Sequence, residues 1–428
     1  MLQVLQVLSV DVLVLMPYDT INNQGKIKNI QFLNDSFKKL KEGNVHGIAI
    51  DVWWGIVERN PSQYNFEGYL QVFELAKSYN LKVRPILSFH KCTGNVSISI
   101  PQWALETAKR QSLLFQDQWG YQSDEYIAIS ADNQKVFPTG ANQLYRTPLD
   151  IYSDFMTAFN DMAINYLNDE TILQIQIGLG PNGELRYPSH PSAKWKYPGI
   201  GAFQAFDPLM LKDFQSSANK SGFDYNFPPT DAGSYNSKPD QTTFFVSGYN
   251  KSFGGFFMNF YQNYLLAHAQ SILERARYIF QTPLVTKVAC VYWWYGHSSH
   301  AAELTTGYYN SNGHNSYSHL AETFGNVIFD FSCFEINDAD KSRENSGCMP
   351  DELIDRVLGA VQQQNGQTMS GANSEENYIK SAFTKIISKL ANGKKTIKYF
   401  LHKQLSQTML QEQNFNVFID FVNNAKDI

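Results

Sequence analysis

The chain has 428 residues, with 35 Lys and Arg against 40 Asp and Glu, a formal net charge of −5. That balance excludes recognition of nucleic acid or an anionic membrane through a dominant basic surface. Hydrophobic residues reach 43% and aromatics 14%, enough to build a large core, which excludes disorder, and enough to leave aromatic faces for a flat apolar ligand.

In chain order, residues 1–16 are apolar but lack a basic n-region and a small-residue cleavage site and include Asp11, so they lead into a buried strand rather than form a signal peptide. Short β-branched runs then alternate with helically spaced segments. The strand-like runs are 10–16, 47–53, 81–89, 173–179, 285–293, 327–334, 367–370 and 396–401. Helical spacing marks 30–42, 69–78, 151–167, 253–280, 351–364, 378–391 and 415–425. Eight strands alternating with helices predict a closed (β/α)8 TIM barrel, here one α/β domain over residues 1–428. Two long βα loops, about 91–150 after strand three and 180–253 after strand four, are rich in Gly, Pro, Tyr, Asn and Ser and predict the walls of a cleft. Cys92, Cys290, Cys333 and Cys348 have no metal-ligand spacing and read as reduced thiols. With no apolar run of about 18 residues, the expectation is a cytoplasmic protein without a membrane span, metal or cofactor.

In such a barrel the functional side chains follow the strands at their C-terminal ends. Those positions hold Asp19, Asp51 with Trp53 and Trp54, His90, Glu184, Tyr292 with Trp293 and Trp294, Ser332 with Glu335, Asn373 and Gln404. Indoles that stack on a pyranose, beside carboxylates and amides for its hydroxyls, point to a sugar site. Adjacent strand residues face opposite ways, so at least one Trp of each pair belongs to the packing. Glycoside hydrolysis needs an acid for the leaving oxygen and a second carboxylate for water or carbon. Glu184 is the candidate acid, and a place among aromatics predicts a raised pKa.

The motifs that carry these residues are long: Asp51-Val-Trp-Trp-Gly-Ile-Val-Glu58, Ser88-Phe-His-Lys-Cys92, Gly178-Leu-Gly-Pro-Asn-Gly-Glu-Leu-Arg-Tyr-Pro188, Trp293-Trp-Tyr295 and His300-Ala-Ala-Glu-Leu-Thr-Thr-Gly-Tyr-Tyr-Asn310. Together they resemble the plant and bacterial β-amylases over nearly the whole chain. The resemblance implies an inverting hydrolase that releases β-maltose from the non-reducing ends of α-1,4-glucans. It implies Glu184 as general acid, Asp19 and His90 on the terminal glucose, and Lys287 on the product-side sugar. Tyr292 stands at a family histidine, Ser332 at an inner-loop threonine and Gln404 at an arginine; Asn373 and Ser374 complete the implied sugar contacts. No nucleic acid, membrane or obligate protein partner is implied, only an α-1,4-glucan.

The sequence departs from this pattern at the base. The family glutamate in Gly-Glu-Asn-Ala falls on Ala372 in Gly371-Ala-Asn-Ser374, and the loop between Val96 and Ile100 is shortened. Alanine takes no proton, so a substitute base is sought at Glu335, Glu375 or Glu376. The alternative is a catalytically silent glucan or maltose sensor on the same barrel.

Overall fold

The computed structural model describes residues 9–140, 144–341 and 345–428. Residues 1–8 of the apolar N-terminal stretch lie outside the described residues.

Eight parallel strands close into a barrel: β1 (Asp11–Leu15), β2 (Gly47–Trp53), β3 (Lys82–Ser88), β4 (Ile175–Ile177), β5 (Leu284–Val288), β6 (Ile328–Phe331), β7 (Met369–Ala372) and β8 (Ile397–His402). Each pairs with the next in sequence and β8 pairs with β1, the ring that right-handed βα crossovers produce. The expected (β/α)8 barrel is therefore the observed one.

Local sequence explains the helices between the strands. The helix Ile30–Glu42 starts where Asn29 accepts a hydrogen bond from the Phe32 amide, and it buries Leu33, Phe37 and Leu40 at helical spacing. The helix Pro148–Asn168 opens on a capping box between Thr147 and Asp150, with proline in its first turn.

Strands β4 to β7 end elsewhere than their apolar runs suggest, β4 at Ile177 rather than 179. β5 stops at Val288 rather than 293, because the Ala289 amide donates to the Tyr308 hydroxyl (3.0 Å) instead of continuing the ladder. β6 stops at Phe331, and Cys333 beyond it takes a left-handed φ of 74°. β7 runs over 369–372 rather than 367–370, since the Gln367 side chain instead donates to the carbonyls of Ala321 and Val327. The long loop after β3 carries the helix Gln102–Arg110 and two short antiparallel hairpins, and the loop after β4 carries the helix Pro208–Lys220.

The barrel interior is layered. Arg84 of β3 and Asp330 of β6 are wholly buried, 3.5 Å apart, and Arg84 also donates to Ser370 of β7 (3.2 Å). Burial pushes the Arg84 pKa down and the Asp330 pKa up. Two residues further along β3 and β7, on the same inward face, Ile86 and Ala372 join Leu13, Leu15, Ala49 and Leu401 in a small apolar cluster. That cluster is the floor beneath the barrel mouth. Among the described residues no helix is long and apolar enough to cross a membrane.

Replacing Asp330 with Ala strands a buried guanidinium. The expected outcome is a loss of about 3–5 kcal/mol of stability, read by urea unfolding; a loss below about 1 kcal/mol would show that the pair does not hold the barrel interior together.

Candidate active site

Two adjoining cavities open at the C-terminal ends of the strands. The inner one, about 190 Å³, is lined by Asp51, Trp53, His90, Gln176 and the floor residues Leu15, Ile86 and Leu401. The outer one, about 320 Å³, is lined by Glu184, Arg186, Tyr292, Trp293, Ser332, Asn373 and Ser374. Asn182, Lys287 and Lys403 line both, so the two are compartments of one cleft.

Glu184 is placed by the turn that follows β4. Asn182 and Gly183 both have left-handed backbone, with φ of 58° and 70°, and the chain then runs parallel beside β5, where the Leu185 amide donates to the Lys287 carbonyl (2.9 Å). This brings the Glu184 carboxylate to Lys287: the ammonium lies 3.2 Å from one oxygen, while Arg186 Nε donates to the other at 2.8 Å. Burial acts to raise the Glu184 pKa, but Lys287 and Arg186 outweigh it and hold the pKa below the ordinary value. The expectation of a raised pKa is thereby corrected. Aromatic surroundings were the visible feature, and two cations decide the sign.

In the inner compartment, burial pushes Asp51 up to about 6 against the opposing effects of the Ser88 hydroxyl (2.7 Å), Lys287 and Lys403. Burial also drives His90 down to about 3, so its ring is neutral, and it packs edge-on against Trp53 with centroids 5.1 Å apart. Trp53 and Trp54 are both buried; Trp53 forms cavity wall, and Trp54 donates to Glu58 (2.7 Å) in the packing behind it. In the outer compartment, Tyr292 packs against Tyr197 and Trp293.

The chain matches the model of glycosyl hydrolase family 14 over residues 13–428. It belongs to that family. Beta-amylase 1, chloroplastic, of Arabidopsis thaliana is 37% identical over 96% of this chain and 75% of its own length. The β-amylase of Trifolium repens is 35% identical over 96% of this chain and 86% of its own. The catalytic domain of the Paenibacillus polymyxa β-amylase shares the fold, with a TM-score of 0.81 at 24% identity over 98% of this chain and 99% of that domain.

Against this family 14 barrel, the remaining site expectations separate. Asp19 pairs with Lys28 and, with Gln404, lines a hollow outside the cleft; Gln404 donates to the Met16 carbonyl (3.2 Å). Lys403, the neighbouring residue, is the one that enters the cleft, two positions beyond the inward-facing Leu401. Strand alternation extended past the predicted end of β8 would have found it. Asn373 is occupied in holding the chain after β8: its side chain accepts from the Lys403 amide (2.7 Å) and donates to the Lys403 carbonyl (2.8 Å).

Ala372 lies in the apolar floor and is 4% exposed. Of the three glutamates considered in its stead, Glu335 is buried beneath the loop, accepting from the Ser374 and Glu375 amides at 2.7 and 2.8 Å. Glu376 accepts from the hydroxyls of Tyr378 and Ser406, away from the cleft. Only Glu375 lines the outer compartment, and it is exposed.

The cysteine expectation is also corrected. The adjacent ends of β5 and β6 bring Cys290 and Cys333 together in a disulfide in the cleft wall, although they are 43 residues apart in sequence. Cys92 and Cys348 are buried thiols outside this bond. The reduced-thiol argument for a cytoplasmic place is lost with this pairing. Alkylation of the unreduced, denatured protein should label two of its four cysteines; mass spectrometry finding all four labelled would contradict the pairing.

Proposed function

We propose that this protein hydrolyses α-1,4-glucans from their non-reducing ends to release β-maltose, with residues 1–428 acting as one barrel domain. The observation that carries this reading is Glu184 in the outer compartment, gripped by Arg186 and by Lys287, which lines both compartments. His90, Asp51 and Trp53 on the inner side, with Tyr292 and Ser332 on the outer side, supply polar and aromatic surfaces to sugar units on either side of the scissile bond.

In this mechanism Glu184 gives its proton to the leaving oxygen while water attacks the anomeric carbon from the opposite face. A carboxylate held below its ordinary pKa is ionised at neutral pH before sugar binds. Sugar hydroxyls that draw the Lys287 ammonium away weaken that hold and let Glu184 take up the proton it must donate. Water activation has no built-in carboxylate at Ala372, and a general base contributes about 10²–10⁴-fold. Turnover is therefore slower by about that factor than with a base in place, unless Glu375 reaches inward. A silent sugar sensor needs neither Glu184 nor the two cations that grip it, which favours the hydrolase.

Maltopentaose followed by proton NMR tests this reading. The expected first products are β-maltose and maltotriose, with the rate falling about 10²–10⁴-fold in Glu184→Gln. Release of α-maltose or of glucose, or a Glu184→Gln variant with the parent rate, would overturn it.

A further inference from the structure

The polar groups at the barrel mouth do not balance in pairs. Arg186 and Lys287 share Glu184. Asp51 is held by the Ser88 hydroxyl, Glu335 is turned under the loop by two backbone amides, and Glu375 sits exposed at the rim. Lys403 is left over: among the described residues no carboxylate forms an ion pair with its ammonium, although it lines both compartments. Burial, with Lys287 nearby, pushes its pKa down against the opposing pull of the Glu184, Asp51 and Glu335 carboxylates. The floor below is the apolar cluster that includes Leu15, Ile86, Ala372 and Leu401.

We propose that the junction of the two compartments binds a small carboxylate anion, of the size of formate, between the ammonium groups of Lys403 and Lys287. The anion supplies the direct ion pair that Lys403 does not make with a carboxylate among the described residues. Resting on the hydrolase reading, the anion also completes the reaction. Its oxygen takes a proton from water as the water oxygen bonds to the anomeric carbon. The glycosidic carbon–oxygen bond breaks, and the leaving oxygen takes the Glu184 proton. The protonated anion then returns its proton through solvent to Glu184, so the net change is hydrolysis. An anion beside Lys287 also weakens that lysine's pull on Glu184, favouring the protonated acid.

The test uses the full chain in a low-chloride zwitterionic buffer with sodium formate as the probe. Binding is read from broadening of the carbon-13 formate resonance, and turnover from maltopentaose hydrolysis. The expected result is saturable broadening and a rise in turnover of about 10²-fold, both lost in Lys403→Met and partly kept in Lys403→Arg. Circular dichroism of each variant separates loss of the site from loss of the fold. Absence of broadening, or an equal response in Lys403→Met, overturns the proposal. If broadening depends on Lys403 while no glucan is cleaved under any condition, the anion site stands and the hydrolase reading falls. If hydrolysis proceeds equally with and without formate and no broadening is seen, the hydrolase stands and the anion site falls.

Discussion

Both oxygens of Glu184 are held by cations, Arg186 on one and Lys287 on the other, in a buried position that by itself acts to raise a carboxyl's pKa. The competition between burial and these two charges sets what the cleft can do. Burial favours the protonated acid; the cations favour the carboxylate and outweigh it. A sugar or an anion that engages Lys287 therefore changes the state of the acid as well as occupying space.

The barrel makes this arrangement by converging strand ends. β5 delivers Lys287, the turn after β4 leads into a parallel bridge to β5 that delivers Glu184 and Arg186, and the chain beyond β8 delivers Lys403, clamped by Asn373. Below them the apolar floor and the buried Arg84–Asp330 pair fill the interior, so the strand ends are fixed by packing rather than by the cleft residues themselves. The Cys290–Cys333 disulfide joins the ends of β5 and β6 in the same wall.

Much of this was legible in the sequence where the determining pattern is local. β2 and the helix Ile30–Glu42 match their apolar periodicity to the residue, because each buries one continuous pattern and has its own stop signal. The end of β5 was not legible, since a tyrosine hydroxyl from a later segment ends the ladder. Glu184 stood out from its motif, but its ionisation depends on Lys287, which lies about a hundred residues away in sequence and meets it only across the β4 and β5 ends. Gln404 marked the position after β8 in the sequence, whereas Lys403 beside it is the residue that enters the cleft, since one residue reverses the facing of a strand. The disulfide depends on strand order, which residue spacing does not encode.

Ala372 puts no carboxylate in the floor of the cleft, and the state of Glu184 is set by Lys287 and Arg186. The most direct measurement is a carbon-13 NMR titration of the protein labelled at the glutamate side-chain carboxyls, in anion-poor buffer without sugar, with Glu184→Gln used to assign the resonance. The account predicts that Glu184 titrates below about 4.3, the ordinary glutamate value. A titration at or above that value would contradict it.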